Sequence, residues 1–157
     1  MTRRTAFWVL VALQALVPVA MAGLREADVA FGQHVLLRVE PVDPRDPFRG
    51  QYVALRYSIG AYVPSGTTTG TRVYVPLHRE GDGDVWTGTV ATTSRPDGGT
   101  YIRGQVRGGR IEFGIEQYYA DEDEARELGT ALAERRVYAD VALGSTGRAT
   151  LTRLVVR

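Results

Sequence analysis

The chain contains two histidines, His34 and His78, which are the side chains best suited to acid–base catalysis near neutral pH. A Ser-His-Asp arrangement or a zinc site would have to use one or both of them. Neither an HxxxH nor an HExxH spacing occurs, and each histidine falls at the end of a predicted strand, where a surface position is the simpler interpretation. We therefore assign no catalytic residue, no metal ligand and no cofactor from the sequence.

The residue types that are missing from the chain exclude several catalytic mechanisms. All 19 basic residues are arginine, so Schiff-base and Ser-Lys mechanisms are excluded, and the absence of cysteine excludes thiol nucleophiles and disulfides. The 18 acidic residues cannot be paired for hydrolysis from spacing alone. A net charge of +1 gives no reason to expect nucleic-acid binding. What remains for an enzyme is an unassigned carboxylate or histidine site.

The N-terminal segment is apolar enough to cross a membrane. After Arg3 and Arg4, the run from Ala6 to Leu24 carries no charge, and as a helix it would be about 28 Å long, close to the hydrocarbon thickness of a bilayer. The arginines before the run predict a cytoplasmic N-terminus and an extracytoplasmic remainder. Residues 6–24 are therefore expected to contact the lipid bilayer.

A cleaved secretory signal is the alternative interpretation of this segment. Ala20-Met21-Ala22 has the small-x-small pattern of a signal-peptidase site, and Pro18 just before it is compatible with cleavage. The length of the apolar run favours an uncleaved anchor. We expect residues 1–27 to form the anchor or signal segment and residues 28–157 an extracytoplasmic domain. The protein would then be a single-pass protein of the cell membrane, or secreted if cleaved after Ala22.

From residue 33 onward the hydrophobic pattern has a period of two, which indicates β-strands. We expect strands over 33–40, 53–59, 72–78, 85–93, 101–107, 110–119, 137–143 and 148–156. Pro76 suggests that the third of these is an edge strand. Gly108-Gly109 has the spacing of a tight hairpin, and the turn over 144–147 joins the last two strands in a similar way.

One short helix is expected in the segment ADEDEARELGTALAERR. Asp121 can cap it, Glu124 occupies the capping-box position, and Ala125, Leu128 and Leu132 form an apolar stripe. The predicted fold class is therefore all-β, an antiparallel sandwich or barrel of about eight strands with one short helix, preceded by an N-terminal transmembrane helix.

The segment PVDPRDPFRGQYVALRY, residues 41–57, combines stiffness with charge. Three prolines fix φ at every third residue of its first part, so this loop is ordered at little further entropic cost. Arg45, Asp46 and Arg49 can pair within the loop, or the arginines can bind an external carboxylate or phosphate.

These residues resemble the signature of the GDYXXLXY protein family. The resemblance rests on the loop, on Tyr52-x-x-Leu55-x-Tyr57, and on a second block, Phe-Gly-Ile-Glu-Gln-Tyr-Tyr, at residues 113–119. It implies a bacterial membrane-associated protein with an extracytoplasmic domain and no established activity. Gln51 stands where the family name has Asp, which argues against an essential catalytic or metal-binding carboxylate there.

Strand alternation assigns the residues of the two blocks to faces. Val53, Leu55, Tyr57 and Ile59 are expected to face the core, with Tyr52 on the other side. In the second block, Glu116 and Tyr118 are expected to lie opposite the apolar residues. The candidate binding or network residues share a place in or beside the two blocks: Arg45, Asp46, Arg49, Tyr52, Tyr57, Glu116 and Tyr118. We expect Arg45, Arg49, Tyr52, Glu116 and Tyr118 to gather on one side of the sheet.

Taken together, these features favour a membrane-anchored extracytoplasmic module that binds an integral membrane protein or a cell-envelope component. A purely structural subunit of a membrane complex is a third interpretation, beside the envelope hydrolase with an unassigned carboxylate or histidine site.

Overall fold

The structure, a computed structural model, describes residues 3–40, 52–59 and 62–157. These described residues form two helices and ten strands. In chain order they are α1 (Arg3–Phe31), β1 (Gln33–Glu40), β2 (Tyr52–Ala54), β3 (Arg56–Tyr57), β4 (Arg72–Arg79), β5 (Val85–Gly88), β6 (Tyr101–Arg107), β7 (Arg110–Glu112), β8 (Gln117–Tyr119), α2 (Glu122–Ala133), β9 (Val137–Leu143) and β10 (Ala149–Val156).

Seven strands form one open, curled sheet in the order β10-β9-β1-β5-β4-β6-β7, with β3 paired to the end of β1. Strands β2 and β8 form a separate two-stranded ladder. The sheet curls far enough for β6 to meet the β9–β10 turn, where the Arg103 amide donates to the Gly147 carbonyl at 2.7 Å. The all-β prediction is confirmed. One pair, β1 with β5, is parallel, unlike the antiparallel arrangement predicted.

The core lies inside the curl and is built from the alternating apolar residues that the sequence predicts. The inward positions of β1, β4 and β9 are 7% exposed or less, and burying such side chains is the main favourable contribution to folding. They are Val35, Leu37, Val39, Val73, Val75, Leu77, Val137, Ala139 and Val141.

Pro76 does not mark an edge strand, contrary to the sequence prediction, because β4 lies between β5 and β6. The ladder between β4 and β5 begins at Leu77↔Gly88, and the next bridge on that side is Tyr74↔Thr92. Pro76 lies in the gap between these two, so its missing N–H removes no hydrogen bond from either.

Two predicted strands are each divided in the structure. The segment 53–59 becomes β2 and β3, which pair with different partners, β8 and β1. The segment 110–119 becomes β7 and β8, separated by a turn at Gly114, whose φ of 82° is available to glycine and strained for other residues. In the first segment the alternation continues across the change of partner, since Val53, Leu55, Tyr57 and Ile59 are all buried as predicted, so the sequence pattern does not report the division.

The predicted turns and the short helix are confirmed. Gly108 and Gly109 have φ values of 53° and 75°, as a two-residue hairpin requires, and they join β6 to β7. Helix α2 is capped by the Asp121 carboxylate, which accepts a hydrogen bond from the Glu124 amide at 2.9 Å. Leu128 and Leu132 bury its apolar face against the core.

Helix α1 has 29 residues, a length of about 43 Å, and it contains an apolar stretch of which no residue is buried within the protein. It is long and apolar enough to cross a membrane, a property that a signal sequence shares. The helix continues past residue 27, where the sequence analysis divides the chain, and ends at Phe31 beside the β9–β10 turn.

Candidate functional site

The two blocks singled out in the sequence lie side by side in the fold. Strand β2 of the first block pairs antiparallel with β8 of the second, with Val53 opposite Tyr118. The ladder is extended by the Leu55 amide, which donates to the Glu116 carbonyl at 2.7 Å. Segments some 60 positions apart in the sequence therefore form one local structure. We call this structure the block junction, comprising residues 52–59 and 113–119.

Tyr57 is the residue that fixes the block junction from inside. Its side chain is 7% exposed, and its hydroxyl donates a 2.6 Å hydrogen bond to the Ile115 carbonyl. Burial, together with the negative charge of Glu116, raises the pKa of the Tyr57 phenol far above its usual value, so the group remains a neutral donor. Tyr57 therefore has a structural role, and its hydroxyl is already engaged by the backbone.

Glu116 forms a cap on the turn between β7 and β8. Its carboxylate accepts hydrogen bonds from the amides of Phe113 and Gly114, the latter at 2.8 Å. Charge-assisted bonds of this kind are stronger than neutral ones and hold a short turn in one conformation. The chemistry visible at Glu116 is thus the stabilisation of its own turn.

Tyr118 lies on the core side of the block junction, so its predicted placement on the opposite face is wrong. It is opposite the buried Val53 and packs against the core, because the alternation of the second block breaks between Ile115 and Tyr118, two core-facing residues three positions apart. Its hydroxyl donates to the Glu124 carboxylate of α2 at 2.9 Å. That hydrogen bond, with burial and the Glu124 charge, raises the pKa of Tyr118.

A groove of about 480 Å³ runs along the block junction, a volume within the range that ligand sites usually have. Its floor is apolar, with Ile59, Ile111 and Phe113, and its rim is charged. The rim residues, all exposed, are Glu40, Arg56, Arg110 and Glu112. Sequence reasoning did not find this groove, because its two walls, β3 and β7, come from distant segments that lack any shared motif.

The remaining candidate residues from the loop cannot be placed. Arg45, Asp46 and Arg49 lie outside the described residues, as does the side chain of Tyr52. Their gathering with Glu116 on one side of the sheet stays a prediction, whereas Tyr118 lies on the core side. Of the seven candidates, Tyr57, Glu116 and Tyr118 are brought together at the block junction.

His34 belongs to a polar cluster that sequence spacing could not reveal. Its Nδ1 lies 2.9 Å from the Asp140 carboxylate on β9, and the other oxygen of Asp140 accepts from Arg153 Nε at 3.1 Å. Its Nε2 faces the Val29 carbonyl at 3.3 Å, so the ring links the end of α1 to the sheet. With both ring nitrogens engaged, His34 has a linking role, and the Asp140 contact raises its pKa.

Within residues 3–40, 52–59 and 62–157, no group of three or more histidine, cysteine, aspartate or glutamate side chains is suited to holding a metal ion. His78 is exposed at the end of β4.

The geometry defines a class: an all-β domain preceded by one long apolar helix, with a structural junction between two blocks. The chain matches the GDYXXLXY protein family over residues 14–154 and belongs to that family. Comparison with curated proteins and with solved structures gives no match. Family membership supplies no activity, so function must be argued from the site.

Replacing Tyr57 by Phe tests the block junction. The variant keeps the ring but leaves the buried Ile115 carbonyl without its donor, so we expect a loss of about 1–2 kcal/mol in the free energy of unfolding. Urea denaturation of the detergent-solubilised chain, followed by circular dichroism, measures it. Tyr62→Phe is the control, since Tyr62 is 78% exposed. Equal stability of the two variants would contradict the proposed role of the hydroxyl.

The His34–Asp140 contact predicts a pH dependence of stability. Because the folded-state pKa of His34 lies above the ordinary value of 6.5, the contact stabilises the fold fully below pH 6.5 and is lost as pH rises through the raised pKa. As the pH rises from 6.5 through the raised pKa, the urea concentration at the unfolding midpoint of the native chain should therefore decrease. His34→Gln should remove the contribution of His34 to this decrease. His78→Gln, the matched control, should retain it. If the urea midpoint of His34→Gln depended on pH as steeply as that of the native chain, the pH dependence would not arise from the His34–Asp140 contact.

Proposed function

We propose that the chain is a membrane-anchored extracytoplasmic module whose groove at the block junction binds an extended segment of an integral membrane protein. The observation that carries the proposal is the groove itself, which combines an apolar floor, a rim with both signs of charge and a neighbouring strand edge. It lies in the part of the chain that carries the family signature.

Strand β7 gives the groove a means of binding peptide backbone. Within the described residues β7 pairs with β6 alone. Arg107 and Arg110 form the hydrogen-bonded pair that closes the hairpin. Because such pairs alternate in an antiparallel ladder, the next pair, Val106↔Ile111, is not hydrogen-bonded. The amide and carbonyl of Ile111 therefore point away from β6. An extended segment could add to this edge as a further strand, a common mode of peptide recognition.

The rim of the groove would give such binding its selectivity. The rim carries two arginines, Arg56 and Arg110, and two glutamates, Glu40 and Glu112, so a partner segment with complementary charges of both signs would be favoured over others. The apolar floor supplies burial for one or two partner side chains. An integral membrane partner is the class that fits an anchored module, because anchoring in the same bilayer raises the effective concentration of the two chains.

The anchoring part of the proposal is supported by α1, whose apolar stretch is wholly exposed and which begins with Arg3 and Arg4. An apolar helix of this length has no favourable environment in water. The arginines before it favour insertion with the N-terminus in the cytoplasm.

The absence of cysteine from the native chain makes the orientation directly measurable. In intact cells a membrane-impermeant maleimide should label Ser65→Cys, in an exposed loop of the domain, and should leave Thr2→Cys unlabelled until the membrane is permeabilised. Both variants should sediment with membranes and resist carbonate extraction. Labelling of Thr2→Cys in intact cells would reverse the orientation, and recovery of a shortened Ser65→Cys chain in the soluble extracytoplasmic fraction would show cleavage.

Partner binding can be assigned to the groove with two matched serine positions. Ser58 is exposed and lines the groove, whereas Ser94 is exposed elsewhere. A photoactivatable benzophenone attached to Ser58→Cys should crosslink one discrete membrane-embedded protein in native membranes, and the same probe on Ser94→Cys should not. Adding Ile111→Asp should abolish the adduct by placing a charge on the groove floor. Equal crosslinking from both positions would refute a groove-specific partner.

A further inference from the structure

A second cleft, of about 460 Å³, lies where α1 meets the β domain. Its walls come from the end of α1, from the turn that precedes β6, and from the turn between β9 and β10. The residues that matter here are Asp28, Phe31, Tyr101, Gly144 and Ser145. This cleft is separate from the groove at the block junction, with which it shares no lining residue.

The position of the cleft along α1 sets its depth relative to a bilayer. The uncharged run ends at Leu24, so Asp28 lies about 6 Å and Phe31 about 10 Å beyond the hydrocarbon edge. The polar headgroup layer extends roughly 5–8 Å from that edge on each side. If α1 spans the bilayer as proposed above, the cleft opens at headgroup depth. Phe31, whose side chain is 89% exposed, would lie just outside this layer.

Asp28 provides a carboxylate in this cleft. It is partly buried against the backbone of Gly144, where an added Cβ would lie only 2.4 Å from Asp28 Oδ1. Among the described residues, no hydrogen-bond donor or cation pairs with this carboxylate. A partly buried carboxylate without a partner favours a cationic ligand.

Arg95 does not line the cleft itself, but it provides the opposite charge beside two residues that do, Tyr101 and Ser145. Its Nη2 donates to the Ser145 carbonyl at 3.1 Å, and its guanidinium lies over the Tyr101 ring, 5.6 Å from the centroid. No acidic side chain forms an ion pair with Arg95 within residues 3–40, 52–59 and 62–157. The guanidinium is thus positioned by neutral groups and keeps its charge for an anion such as phosphate.

We propose that this cleft binds the headgroup of phosphatidylethanolamine, with the ammonium at Asp28 and the phosphate at Arg95. Asp28 contacts Gly144 and Arg95 contacts Ser145, so the two charges flank adjacent residues, as a short zwitterion requires. Phosphatidylglycerol offers the phosphate without an ammonium, and phosphatidylcholine offers an ammonium that cannot donate hydrogen bonds to a carboxylate. The inference rests on the proposed membrane anchoring and adds a specific lipid to it.

Native mass spectrometry of the full chain in detergent micelles tests this lipid preference. Retention of phosphatidylethanolamine should exceed that of phosphatidylcholine and phosphatidylglycerol by about tenfold, the usual effect of one charge-assisted hydrogen bond. Asp28→Asn, which is isosteric, should abolish the preference, and Arg95→Gln should weaken retention of all three lipids. Asp82→Asn and Arg79→Gln, away from the cleft, are the matched controls and should retain the native preference, Arg79 being a second arginine that lies over an aromatic ring, that of Trp86.

A second variant keeps the test decisive if a charge substitution disturbs folding. Gly144→Ala retains every charge, but its Cβ would displace the Asp28 carboxylate, so it should also lower the preference. Circular dichroism establishes that each variant is folded. Equal retention of the three lipids by the native chain, or an unchanged preference in folded Asp28→Asn, would overturn the proposal. Failure of membrane anchoring is detected separately by fractionation of the native chain, which does not depend on the lipid retained in detergent.

Discussion

The buried hydrogen bond from Tyr57 to the Ile115 carbonyl is the interaction on which the architecture of the signature region depends. The first block must leave the β2–β8 ladder and join β1 through β3 within a few residues, and such a crossing leaves backbone groups without ladder partners. Tyr57 satisfies one of them from inside the core, and the Leu55 amide satisfies the Glu116 carbonyl beside it. Without these two bonds the blocks would bury polar groups at a net cost.

The second block is shaped to receive this crossing. Gly114 permits the turn that ends β7, and the Glu116 carboxylate holds that turn through two backbone amides. Both walls of the groove follow from the arrangement, because the turn places Phe113 and Ile111 opposite β3. Tyr57, Glu116 and Tyr118, which the sequence predicts as binding or network residues, thus stabilise the fold. The groove proposed to bind a partner lies next to them.

Much of the fold could be predicted from alternation, turns and caps, because each of these is encoded within a few neighbouring residues. The inward faces of β1 and β4, the Gly108-Gly109 hairpin and the Asp121 cap belong to this class. The face of Tyr118 could not be predicted, since the alternation breaks between Ile115 and Tyr118, where the chain joins the ladder with β2. Nor could the pairing of His34 with Asp140, which are 106 residues apart, because it depends on the register of β1 against β9.

If the groove binds a partner as proposed, the signature separates residues that support the fold from residues that would contact the partner. Its fixed letters Leu and Tyr correspond to Leu55 and Tyr57, which are buried and anchor the junction. Its variable position between them corresponds to Arg56, which lies exposed on the groove rim. The two buried positions require side chains that fill the core, and one of them must also donate a hydrogen bond. An exposed residue on the rim of the groove can change its charge without disturbing the core. The fixed letters Leu and Tyr of the family name therefore correspond to the buried framework of the groove, and under the proposed function the choice of partner would depend on exposed side chains such as Arg56 and Arg110.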